Sequence, residues 1–192
     1  NFEFIIINDA SIDRSKEIIE LYKDPRIVII TNDQTLGLAK SLNKALKIAK
    51  GNFIARMDAD DIAIYNRLEI QFKNAVSLDI DVLGASVDAF SKDGKVERWN
   101  FPETFPEIFL NGLYSPPFAH PAVFARKSVM LNFMYNEDCL YAQDYELWSR
   151  MLFEKNISKV VNLKESTLKY RIHDNQVSTD KKAIQQNIRL NV

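Results

Sequence analysis

Three apolar runs separated by stretches of helical period constrain what this chain can fold into. Phe4 to Ile7 is apolar throughout, as in a strand buried on both faces. Ile27 to Ile30 repeats the pattern, and Phe53 to Met57 supplies a third strand. Asp13 suits the N-cap of a helix over roughly Arg14 to Lys23, with Pro25 beyond it. Leu38, Leu42, Ala45, Leu46 and Ala49 then recur at helical spacing, and Gly51 stands where a C′ residue belongs. This opening therefore reads strand, helix, strand, helix, strand, which implies a parallel sheet with crossover helices. In such sheets ligands collect at the carboxyl ends of the strands.

Acids stand at two of those ends. Asp9 follows the first strand, and Asp58, Asp60 and Asp61 follow the third. Carboxylates this close repel, and each loses hydration if partly buried. A hard divalent cation such as Mg²⁺ or Mn²⁺ uses such a cluster, together with substrate phosphates. An acidic N-cap and first turn for the next helix is the alternative, and the local pattern permits both.

The remaining elements are a helix from about Asn66 to Ser77, a strand over Val82 to Phe90, and a turn at Asp93-Gly94 into Val96 to Trp99. Thr104 with Pro106 starts a helix through Leu110. Ala122 to Ala125 reads as a short strand, Ala142 to Glu154 as an amphipathic helix, and Ser166 to Ile172 as a last strand before a polar tail. Asp144 sits in the first turn of its helix, either as a functional acid or as a simple capping one. The two histidines, His120 and His173, both fall at strand boundaries.

The 192 residues suffice for one ordinary domain. A formal net charge of −1 gives no basic excess for nucleic acid. The single cysteine, Cys139, excludes an intrachain disulfide framework and fits a reducing compartment. No apolar run approaches the roughly 18 residues of a spanning helix, and no signal peptide is visible. The chain opens at Asn1 directly before a strand, as expected of a segment taken from a longer protein.

The order of segments resembles the family 2 glycosyltransferases, with the nucleotide-sugar-binding GT-A fold. The resemblance rests on Ile5-Ile6-Ile7-Asn8-Asp9-Ala10-Ser11-Ile12-Asp13, Asn32 through Asn43, and Asp58-Ala59-Asp60-Asp61. Gln143-Asp144-Tyr145-Glu146-Leu147-Trp148 and Tyr170-Arg171-Ile172-His173 complete it. It implies an α/β, Rossmann-like GT-A architecture with a mainly parallel sheet flanked by helices, its first strand missing from the chain. Residues 1–90 would bind the nucleotide sugar and 91–192 the acceptor.

The implied activity is metal-dependent, inverting transfer from a nucleotide-diphosphate sugar, commonly a UDP-sugar, to a hydroxyl of a glycan or lipid-linked acceptor. Synthesis of surface polysaccharide is the implied context, at the cytoplasmic side, with peripheral membrane association. By the resemblance Asp9 meets the base, Lys40 replaces a basic residue, often Arg, near the nucleotide, and Asp58 lies near the ribose. Asp60 binds Mn²⁺ or Mg²⁺ on the diphosphate, with Asp58 and His173 as further metal ligands. Asp61 is commonly present in a less fixed role. Asp144 matches the catalytic base. Gln143 departs from the family's Glu at that position. His120, Gln143 and Trp148 are acceptor-side candidates, although most aromatic residues in that half are expected in the core.

Two rival readings share these features. A nucleotidyltransferase also uses a carboxylate-held Mg²⁺, but no Gly-rich basic loop is seen. A degenerate nucleotide- or glycan-binding module of the same fold draws its support from Gln143 and the absent first strand.

Overall fold

The computed structural model describes residues 1–154 and 157–173. β1 (Phe4–Asn8) and β2 (Ile27–Thr31) pair in parallel, Phe4 opposite Ile27 and Asn8 opposite Thr31. α1 (Ser15–Glu20) makes the crossover, and Asp13 Oδ1 accepts from the Ser15 amide at its start. α2 (Leu38–Ile48) leads to β3 (Phe53–Ala55).

β3 does not join β1. It pairs antiparallel with β7 (Phe124–Arg126) at one edge of a second sheet. That sheet also holds β4 (Ile62–Ala63), β5 (Val82–Phe90), β6 (Val96–Trp99) and β8 (Val160–Arg171). Its order is β3-β7-β5-β8-β4, with β6 on β5. The parallel pairing expected of the opening strands holds for β1–β2 but not for β3; β5–β8 is also parallel and the other pairs are antiparallel, so the sheet is mixed rather than mainly parallel. Among the described residues, β1 and β3 each keep one unpaired edge.

β5 is buried along most of its length because it lies between β7 and β8. A β-carbon on its Gly84 would stand 1.8 Å from Asn162 Oδ1 and 2.7 Å from Phe118 Cδ1. Only glycine permits that approach. Asn162 in turn donates to the Pro102 and Pro117 carbonyls at 2.6 and 2.9 Å.

α3 (Arg67–Ser77) packs against β5 and β7. α4 (Phe105–Gly112) opens on a capping box between Thr104 and Glu107. Its Ile108 meets Leu147, Trp148, Met151 and Leu152 in the main core. α5 (Lys127–Phe133) and α6 (Gln143–Ser149) complete the helices, and a π-helical turn, Arg150–Glu154, continues α6.

Several boundaries differ from the sequence expectations. The third strand stops at Ala55, because the Arg56 amide leaves the ladder to bond the Val123 carbonyl at 3.0 Å. The expected strand over Ala122 to Ala125 divides into a 3-10 turn, His120–Ala122, and β7. The last strand begins six residues early, at Val160 rather than Ser166, because its first half lies parallel to β5. β4 and α5 were not expected; one has only two residues and the other follows a strand without a turn residue. The polar tail beyond His173 lies outside the described residues.

Candidate active site

The acids sit where β3 ends and the chain bends. The Asp61 amide donates to the Asp58 carbonyl at 3.4 Å, and the bend gathers Asp58, Asp60 and Asp61. Each offers an oxygen within 4.8 Å of the others. Asp61 is only 7% exposed. Its Oδ1 accepts the Arg171 amide at 2.8 Å, and its buried Oδ2 has no hydrogen-bond partner. Burial pushes its carboxyl up to about 6, against the pull of that amide, and the charges of Asp58 and Asp60 add to the rise. A carboxylate left short of one partner beside two others is a donor set for a hard cation.

β8 closes the cluster from the far end of the sequence. Arg171 Nε donates to the Asp60 carbonyl at 2.8 Å, and His173 Nε2 lies 3.0 Å from Asp60 Oδ2. The expected neighbourhood of His173 and Asp60 is thus a contact, made because β4 pairs with the end of β8. Asp58 is held differently: Arg56 grips its two oxygens at 2.7 and 2.6 Å.

Arg56 and Arg67 lie beneath this bend, 7% and 3% exposed. Arg67 Nη2 donates to the Arg56 carbonyl at 2.6 Å, and its Nε to Gln71 Oε1 at 2.9 Å. Gln71 passes the connection to the Ala122 carbonyl at 2.7 Å. Burial and the nearby Arg56 charge pull the Arg67 guanidinium down to about 10. Sequence reasoning missed both arginines. The available signals were the two-residue offset of Arg56 from Asp58 and the four-residue offset of Arg67 from Gln71.

Asp9 stands at the end of β1. Its Oδ1 accepts from Asn32 Nδ2 at 2.8 Å and the Leu36 amide at 2.9 Å, and its Oδ2 from the Gly37 amide at 2.8 Å. Burial raises the carboxyl, but these donors outweigh it and hold it below the usual range. Gly37, at φ +88, turns its amide inward in a region that favours glycine. Lys40 is exposed one turn into α2. A second lysine, Lys44, reaches the Asp9 group: its Nζ donates to Asn32 Oδ1 at 2.7 Å. It lies one helical turn beyond Lys40, the residue to which the resemblance points.

Gln143 and Asp144 begin α6, each partly exposed. Ala142 precedes them with φ +59, and Ala10 follows Asp9 with φ +55. Non-glycine residues in this region concentrate at functional loops. Two acceptor-side expectations are corrected here. Trp148 is 1% exposed and packs edge-on against Phe118, because the apolar face of α6 points into the core. His120 is 8% exposed and shares a 2.8 Å hydrogen bond with the Tyr135 hydroxyl. Burial, aided by Arg56, keeps the imidazole well below its ordinary value. Burial raises the Tyr135 phenol; Arg56 opposes that shift, and Asp144 and Asp58 add to it. The Tyr135–His120 pair therefore lies within electrostatic reach of both Asp58 and Asp144. Tyr135 carries no motif, so sequence did not reveal it.

A family model described as glycosyl transferase family 2 matches residues 1–133. An uncharacterized glycosyltransferase of Methanocaldococcus jannaschii is 37% identical over 194 residues, covering 95% of this chain and 65% of the relative. The Escherichia coli UDP-Glc:alpha-D-GlcNAc-diphosphoundecaprenol beta-1,3-glucosyltransferase WfgD is 29% identical over 181 residues, covering 94% of this chain and 70% of its own. Residues 1-349 of Staphylococcus aureus TarS, solved in complex with UDP-GlcNAc, share the fold with a TM-score of 0.74 at 22% identity. That match covers 91% of this chain and 51% of TarS. The chain thus spans about two thirds of the first relative and half of the solved chain.

Proposed function

The chain belongs to glycosyl transferase family 2, and from that premise we propose that it moves a sugar from a UDP-sugar to a hydroxyl of a glycan or lipid-linked acceptor, with inversion, in surface-polysaccharide synthesis. The observation that carries the reading is the acidic triplet at the end of β3, with its unpartnered Asp61 oxygen. Membership of the family retires the nucleotidyltransferase rival. The carboxylates of the triplet and of Asp144 count against the degenerate module, since Gln143 removes neither.

Residues 1–90 hold the donor and 91–192 the acceptor. Asp9 accepts the imide N–H of the base with the lone pairs its three donors leave free. Lys44, and Lys40 at the rim, supply positive charge beside it. The all-carboxylate oxygen set of Asp58, Asp60 and Asp61 fits Mn²⁺ or Mg²⁺, with His173 on Asp60 as an added ligand. A divalent cation held there supplies charge neutralisation for the departing diphosphate. Asp144 takes the acceptor hydroxyl proton as the oxygen bonds to the anomeric carbon. The bond from that carbon to the diphosphate breaks on the opposite face, which inverts the centre. Gln143, partly exposed beside Asp144, is the acceptor-side candidate that remains, since His120 and Trp148 lie in the core.

The names of the relatives support this donor and acceptor class: the E. coli relative is named for UDP-Glc and a diphosphoundecaprenol acceptor. No helix among the described residues is long and apolar enough to cross a membrane. A lipid-linked acceptor of this kind would be met at the cytoplasmic face of the membrane, the side on which nucleotide sugars are used. Calorimetry of UDP with Mn²⁺ and then with EDTA tests the donor site. Binding that requires the metal is expected; equal binding in EDTA overturns the metal assignment.

A further inference from the structure

We propose that Arg56 is a built-in counter-charge to the acidic triplet, one that makes occupancy by a divalent cation depend on the nucleoside diphosphate arriving with it. The inference rests on the donor-site reading above and assigns a positioning role to a residue outside the expected set. Four observations carry it. Arg56 engages Asp58 with a two-point fork at 2.7 and 2.6 Å, so each oxygen of one of the three carboxylates already carries a cationic donor. Its side chain is almost wholly buried, so water screens its charge little.

Its backbone is fixed on both sides, the amide by the Val123 carbonyl at 3.0 Å and the carbonyl by Arg67 at 2.6 Å. Arg67 is itself tied through Gln71 to Ala122, so α3 and the turn before β7 hold Arg56 beneath the bend. Finally, Arg56 Nε, Arg67 Nη1 and Asp61 Oδ2 are all buried without hydrogen-bond partners. Two cations buried this closely are a costly arrangement that stability alone does not call for.

The consequence follows from charge. Three carboxylates alone would attract a divalent ion strongly. With Arg56 forked onto Asp58, the ion meets a cluster whose negative charge is partly offset by a buried guanidinium. A diphosphate restores what is missing, since it brings oxygen ligands and negative charge together. The site then takes metal and nucleotide as one unit, and free metal alone does not fill it.

The test is Mn²⁺ binding followed by electron paramagnetic resonance, on wild-type chain and on Arg56→Gln, each with no nucleotide, with uridine and with UDP. For wild type, UDP is expected to tighten Mn²⁺ binding about tenfold or more and uridine not at all; removing a unit charge beside the ion is worth a similar factor. In R56Q, Mn²⁺ without nucleotide should bind about tenfold more tightly than in wild type. R56K, which keeps the charge, should stay near wild type. Unchanged metal-alone affinity in R56Q overturns the role of Arg56 while leaving the donor site standing. Should R56Q not fold, wild type still decides: Mn²⁺ binding equally well with and without UDP overturns the inference. No Mn²⁺ binding under any condition removes the donor-site reading and the inference together.

Discussion

Replacing Asp144 by Asn keeps the size of the side chain and removes its basicity. Transfer should fall by 10²-fold or more, as for loss of a general base, with UDP binding nearly intact. Asp60→Ala should do the reverse first, abolishing Mn²⁺-dependent UDP binding in calorimetry. Equal loss of both functions in both variants would undo the division of roles. His120 gives a pH prediction. The folded state keeps it neutral, whereas the unfolded chain protonates it near 6.5. Below that value the unfolded state binds the extra proton, so stability falls on acidification by up to about 1.4 kcal/mol per pH unit. His120→Gln should be about 1 kcal/mol less stable at neutral pH, having lost the Tyr135 bond, yet lose less between roughly pH 6.5 and 5. Parallel urea-unfolding midpoints for the two proteins across that range would show that His120 does not titrate in this way.

Among the elements, β5 and β8 carry the scaffold of the site. Their parallel pairing over Val82 to Phe90 puts the end of β8, with Arg171 and nearby His173, beside the bend after β3. Gly84 keeps that pairing close. Gly84→Ala would drive a methyl group into Asn162 and Phe118 and should cost about 3 kcal/mol in denaturant unfolding. A loss under about 1 kcal/mol would mean that Asn162 moves aside freely. α2 works on the other side. Its Asn43 donates to the Tyr135 carbonyl and to Glu137 Oε1, both at 2.9 Å, and accepts the Tyr135 amide at 2.9 Å. α2 thereby fixes the segment carrying Tyr135, and with it the partner of His120.

At the scale of the whole molecule, stability is unevenly shared. β1 and β2 form a two-stranded sheet, marginal by itself, and α1 buries none of its six residues. The six-stranded sheet instead contributes Val82, Ala125 and Val160 to a core shared with α4 and α6. Hydrogen exchange should therefore run much faster at the amides of Phe4–Asn8 and Ile27–Thr31 than at Val82–Phe90. UDP with Mn²⁺ should slow exchange around Asp9 and the Leu36–Gly37 amides. Uniform exchange across both sheets would contradict the uneven core.

The alternation of apolar runs and helical periods was enough to determine the class of fold, because burial of each strand and helix face is written in its own residues. Local pattern also marked Asp9, Asp58, Asp60, Asp61 and Asp144, since acids at strand ends and helix starts stand out without a structure. The resemblance pointed to Lys40, and only the tertiary structure shows that Lys44, on the same face of α2, reaches Asn32. Local pattern did not foresee that Trp148 and His120 face inward. Strand order, the 3.0 Å meeting of His173 with Asp60 and the burial of Arg56 and Arg67 beneath the acids were decided by tertiary structure alone. Each joins residues far apart in the chain or depends on which neighbours displace water, and no window of sequence contains that information.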